Sequence, residues 1–164
     1  MDFSTTLTQQ QLDIATLGPP TIQSPLNLST TPGDNVCDFT PDETRLSLEP
    51  RFNAGAAPSP LGLERGGPRK QIFFEPSKTK AAIVTCGGLC PGINNVIRTA
   101  VFELMHNYGV PSVLGIRYGF EGLNPAVGRP PIELTPDVVS NIHHHGGTML
   151  GSSRGPQEPS TTVE

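Results

Sequence analysis

The chain has 164 residues, a formal net charge of −4, 18 glycines and 18 prolines, no tryptophan, and 35% apolar residues. That length suits one domain, or one domain with a tail. The acidic balance and the lack of a basic stripe exclude a nucleic-acid partner, and no apolar run approaches a membrane span.

Residues 1–65 read as an extension rich in Pro, Ser and Thr, mostly irregular, with turns at Gly18-Pro19-Pro20, Pro32-Gly33-Asp34 and Ala57-Pro58-Ser59-Pro60. Its start has no basic region, the first arginine being Arg45, so it fits neither a secretory signal nor a transit peptide. Cys37, Cys86 and Cys90 are an odd number and make no disulfide framework; a cytoplasmic location is the expectation. Gln71 to Glu75 is the first strand-like run, and Ala81 to Cys86 reads as a buried strand. A turn with Gly87, Gly88 and Gly92 follows.

From Asn94 to Asn107, apolar Val96, Ile97, Val101, Leu104 and Met105 recur at helical spacing. Asn94 or Asn95 is the expected cap and Gly109 the expected stop. Val110 to Ile116 reads as a second buried strand, which makes a βαβ unit with parallel strands. Ile132 to Leu134 reads as a short strand. Thr135 is placed to cap a helix from Pro136 to about His144, ended by Gly146-Gly147. The expected fold is α/β, a Rossmann-like parallel sheet behind an irregular extension.

Strand, glycine-rich loop and helix is how such folds offer backbone N–H groups and a helix N-terminus to a phosphate. Gly87 to Gly92 has the outer spacing of a Walker loop, but Ile93-Asn94 stands where Lys-Ser/Thr belongs, and the dinucleotide fingerprint is absent. The positive charge must therefore come from elsewhere. No lysine follows Lys80, and the later arginines are Arg98, Arg117, Arg129 and Arg154. Arg154 lies in a second small-residue loop, Gly146 to Gln157, where a guanidinium suits a polyphosphate. Taken alone, it reads equally as a solvated loop arginine, and Gly88 and Gly92 as tight-turn glycines.

Together the two loops resemble the phosphofructokinase family. Gly87-Gly88-Leu89-Cys90-Pro91-Gly92-Ile93-Asn94 looks like its first phosphate loop, and Gly146 to Arg154 like its Gly-Gly-Thr-x-Leu-Gly-x-Ser-Arg loop. Gly115 to Leu123 is similar to the segment after its second strand. The wording Thr85 to Gly92 and Ser152 to Gln157 is similar to the ATP-dependent, long-extension subgroup of plants, protists and some bacteria. The resemblance is strong over residues 66–159, the α/β part, and leaves 160–164 as a truncated tail; it is fainter back to Leu17-Gly18-Pro19.

The resemblance implies a 6-phosphofructokinase, a glycolytic enzyme that moves a phosphoryl group from ATP to fructose 6-phosphate. It implies Gly88, Arg154 and Gly155 against the donor, with Arg154 catalytic, and an adenine platform at Phe120. A core phenylalanine is the competing reading of Phe120. It further implies allosteric control, a homo-oligomer (dimer or tetramer), and Mg2+, whose carboxylate loop has no counterpart in this sequence. A pyrophosphate donor, or an inactive fragment, is the alternative. The family's catalytic-base loop also has no counterpart here, so the chain reads as an N-terminal portion, and the isolated chain is expected to be loosely packed and to oligomerise through open strand edges. Cys86, Cys90 and the run His143-His144-His145 do not make a metal site, because adjacent histidines point around a helix end rather than converge.

Overall fold

The computed structural model describes residues 7–49, 54–55, 61–127, 129–154, 158 and 160. The chain divides into two compact units, 1–73 and 74–164.

In the first unit the apolar supply is too thin for a core, and polar side chains tie short elements together. Helix α1 (Gln9–Leu12) faces strand β3 (Gly62–Glu64), whose partner is the antiparallel β2 (Arg45–Ser47). The Gln9 amide donates to the Gly62 carbonyl at 2.9 Å and accepts from the Gly62 N–H at 3.1 Å, so one side chain substitutes for a strand partner. Strand β1 (Ile22–Gln23) pairs antiparallel with β4 (Gln71–Ile72). Arg69 is the hub. Its guanidinium donates to the carbonyls of Thr40 at 3.1 Å and Pro41 at 2.7 Å, pairs with Glu64 at 2.9 Å, and lies 3.4 Å from the Asp42 carboxylate. Residues 66–73, placed with the α/β part on sequence, belong to this unit.

The second unit is the α/β part. Strand β5 (Lys80–Val84) runs parallel to β6 (Ser112–Ile116), with Ala81 opposite Val113 and Ile83 opposite Gly115. Helix α2 (Ile93–Phe102) makes the crossover and continues as a π-helical turn, Glu103–Asn107. Gly109 then turns the chain at φ +72°. Strand β7 (Ile132–Glu133) joins the far side of β6, and it is antiparallel, so the sheet is mixed rather than wholly parallel. The reason is local: the connection from β6 to β7 holds only 3-10 turns at Gly119–Leu123 and Pro125–Val127, too little for a crossover back to the start of the sheet.

Helix α3 is shorter than its periodicity predicts. Thr135 caps it, its hydroxyl accepting from the Val138 N–H at 3.3 Å, but the helix covers only Pro136–Val139 before a 3-10 turn at Ile142–His144. Ile97 and Val101 from α2, Val139 and Ile142 from this segment, and Val110, Val113, Leu134 and Leu150 close one buried cluster over the sheet. Strand β5 departs from expectation. It alternates half-buried Ala81 and Ile83, packed against the buried cluster, with exposed Lys80, Ala82 and Val84 on the opposite face, which no layer of the described residues covers. Of the two strands read as buried, β6 is the one that fits.

Candidate functional site

Two parallel strands bring their carboxyl ends to one side, where open α/β sheets present ligand sites. After β5 the chain enters residues 85–92. The cap of α2 is Gly92, not Asn94 or Asn95: Gly92 adopts φ +89°, which favours glycine, and its carbonyl accepts the first helical bond from Val96 at 3.1 Å. Asn94 is buried instead, and it stitches the second loop down. Its amide donates to the His145 carbonyl at 2.9 Å and its oxygen accepts from the Met149 N–H at 2.8 Å.

Residues 146–154 therefore lie against the first loop. The Thr85 hydroxyl, at the end of β5, donates to the Gly151 carbonyl at 2.8 Å and sits 3.1 Å from the Thr148 hydroxyl. The Gly87 N–H reaches the Ser153 carbonyl at 3.4 Å. These bonds deliver Arg154 to Gly88. A Cβ built on Gly88 would stand 3.1 Å from Arg154 Nη2, so the guanidinium lies close over this glycine. An exposed guanidinium beside the glycine turn that leads into helix α2 puts a positive charge at the end of the loop.

A third segment closes the group. Tyr118 and Gly119 follow β6 as two successive left-handed residues, at φ +59° and +64°. The Tyr118 N–H donates to the Leu150 carbonyl at 2.8 Å, and Arg129 lies 4.0 Å above the Tyr118 ring while pairing with Glu121 at 3.2 Å.

The fold thus brings Gly88 and Arg154 together. Phe120 lies just beyond Tyr118 on the 3-10 turn and is 52% exposed, which removes it from the core in the described chain. Gly155 lies outside the described residues. Asn94 was marked only as a helix cap, and the holding roles of Thr85, Thr148 and Tyr118 were not marked, since contacts between distant segments leave no signature in one sequence. Cys86 and Cys90 are exposed thiols on the first loop. The His143 and His144 rings lie 3.8 Å apart, tilted by 40°; partial desolvation first, then the cationic neighbours His144 and Arg98, hold His143 below the ordinary histidine range. Among the described residues no group of His, Cys, Asp and Glu gathers to hold a metal, and no helix is long and apolar enough to cross a membrane.

Comparison with known proteins agrees with the two loops. The phosphofructokinase family model matches residues 80–163. The chain is 50% identical over 142 residues to an ATP-dependent 6-phosphofructokinase of Entamoeba histolytica, covering 80% of this chain and 32% of that protein. It is 52% identical over 102 residues to the Borreliella burgdorferi protein of the same name, covering 62% of this chain and 23% of that one. The Trypanosoma brucei brucei protein of that name is 43% identical over 127 residues, 77% of this chain and 26% of its own length. The chain therefore spans roughly a quarter to a third of the length of these relatives.

Proposed function

The chain belongs to the phosphofructokinase family, and from that premise we propose that it carries the donor-phosphate loops of an ATP-dependent 6-phosphofructokinase. The reaction is phosphoryl transfer from ATP to the 1-hydroxyl of fructose 6-phosphate. The bond from the terminal phosphorus to the leaving oxygen of ADP breaks, the bond to the sugar oxygen forms, and the hydroxyl proton leaves to a base. Such transfer rests on positioning and charge neutralisation.

The observation that carries this reading is the Arg154 guanidinium poised over Gly88. The Gly88 turn and the start of α2 offer N–H groups to the donor phosphates, and Arg154 neutralises the charge that grows on the leaving oxygen. Gly155 extends the same contact, and the exposed Phe120 ring is a platform for adenine. The close approach of Arg154 Nη2 to Gly88, 3.1 Å from where a Cβ would stand, supports this reading.

Magnesium does not fit the described residues: none cluster as ligands, and Glu121 beside the site is tied to Arg129. No step here runs through the ion. The same reading takes the protein to work as a homo-oligomer in the cytoplasm.

Arg154→Ala in the full-length protein is the test. We expect kcat to fall by about 100-fold or more with the melting temperature unchanged; normal kcat with fructose 6-phosphate would overturn the assignment. Assays with each donor test the second half of the reading, and turnover with pyrophosphate alone would refute ATP.

A further inference from the structure

Tyr118 is the side chain near the site that the reading above leaves without a role. It holds a left-handed backbone, φ +59° and ψ +44°, which a bulky residue rarely adopts and which persists only where the surroundings over-determine it. The surroundings here do so from several sides. The Tyr118 N–H is bonded to the Leu150 carbonyl at 2.8 Å. The ring lies against Gly151 so closely that a Cβ there would come within 2.8 Å of it. The neighbouring Gly119 is wedged between the Thr85 carbonyl and Ser153, at 3.2 and 3.0 Å from where its own Cβ would stand. The Arg129 guanidinium covers the ring at 4.0 Å, itself held by Glu121 at 3.2 Å, and Arg117 lies 5.6 Å away.

Every one of these contacts with the second loop falls on residues 150–153, the four immediately before Arg154. We propose that Tyr118, clamped by Arg129, is a positioning residue that sets the second loop at the height where Arg154 meets the donor phosphates at Gly88. The inference rests on the reading of Arg154 given above and assigns it a support that no phosphate contact supplies. Its physical basis is leverage. The loop is hung from Asn94 and Thr85 on the side of the first loop, and from Tyr118 on the side of β6. Removing the ring frees Gly151, a residue with easy backbone rotation, and leaves the long 3.4 Å bond from the Gly87 N–H to the Ser153 carbonyl as the last tie before the guanidinium.

The experiment is a double-mutant cycle in the full-length enzyme, read as kcat and as KM for ATP. Tyr118→Ala lowers kcat about 10- to 100-fold, the scale of a displacement near 1 Å at a reacting group. Tyr118→Phe, which keeps the ring, restores it. In an Arg154→Ala background Tyr118→Ala has no further effect, because it acts through that guanidinium. A loss that persists undiminished in that background, or no loss from Tyr118→Ala while Arg154→Ala is impaired, overturns the positioning role alone. Normal kcat in Arg154→Ala by itself overturns the reading of the site, and the inference falls with it. Should Tyr118→Ala not fold, Arg129→Gln removes the clamp and keeps the ring; it lowers kcat by about two- to fivefold, again only where Arg154 is present. Unchanged kcat in that variant overturns the proposal.

Discussion

The two units are held by different physics. Among its described residues the first buries one large apolar side chain, Phe39, together with Ser24 and Thr40, whereas the second buries Ile97, Val101, Val113, Leu134, Val139 and Leu150 almost completely. In the first, Leu17, Leu46, Leu63 and Phe74's neighbour Phe73 remain substantially exposed, and order comes from directional bonds through Gln9 and Arg69. In the second, nondirectional burial fixes the sheet, and directional bonds are kept for the loops that carry the site. The lesson is that a glycine-rich site needs a rigid apolar floor beneath it, while an extension needs only enough polar ties to hold a path.

The sharpest way to break this contrast is a pair of truncations. Leu134→Ala, fully buried beneath Gly115, is expected to cost about 3 kcal/mol in urea unfolding. Leu46→Ala, 55% exposed in β2, is expected to stay within about 0.5 kcal/mol. Equal costs would mean that the first unit has an apolar core after all.

Next in size is Arg69→Met. It leaves the Thr40, Pro41 and Glu64 groups without their cation, and a cost of about 2 kcal/mol is expected, confined to the first unit. Amide hydrogen exchange reads it: faster exchange in residues 40–48 and 62–65 with β5 and β6 unchanged supports the contrast, and uniform acceleration contradicts it. Thr135→Ala tests the reverse case, a directional bond inside the apolar unit, and should cost about 1 kcal/mol as a lost helix cap.

The smallest effect is a difference in acid response. His143 in the second unit is held below its ordinary value of 6.5, so the unfolded chain takes up the proton first. Its contribution is complete above that pH and is lost as pH falls through the depressed folded value. Asp34 in the first unit is held below 3.8, chiefly by the Ser29 hydroxyl and then by the Val36 N–H, so its contribution is lost only in stronger acid. Melting curves from pH 7 to 3 should show His143→Gln flattening the upper part of the profile and Asp34→Asn the lower part. The opposite assignment, or no change in either, would count against these environments.

Much of the second unit was legible because its signals are short in range. Short apolar runs marked β5 and β6, helical spacing marked α2, and Thr135 with Pro136 marked the start of α3. The residues that failed are those whose fate depends on distant partners. Asn94 looks like a cap, yet Gly92 takes that role and Asn94 turns inward to two backbone groups 51 and 55 residues away. The helix after Pro136 ends at Val139, and Ile142 in the following 3-10 turn packs into the cluster shared with α2. A two-residue strand such as Ile132–Glu133 carries no mark of whether it runs with or against its neighbour.

The sequence by itself determined that this is an α/β chain with two small-residue loops and one arginine suited to a phosphate, since glycines and spacing act over a few residues. Only the tertiary structure decided that Arg154 stands over Gly88, that Phe120 lies outside the core, and that Tyr118 is locked against Gly151. Those are distances between segments far apart in the chain, and they are set by buried contacts and hydrogen bonds that no local pattern encodes.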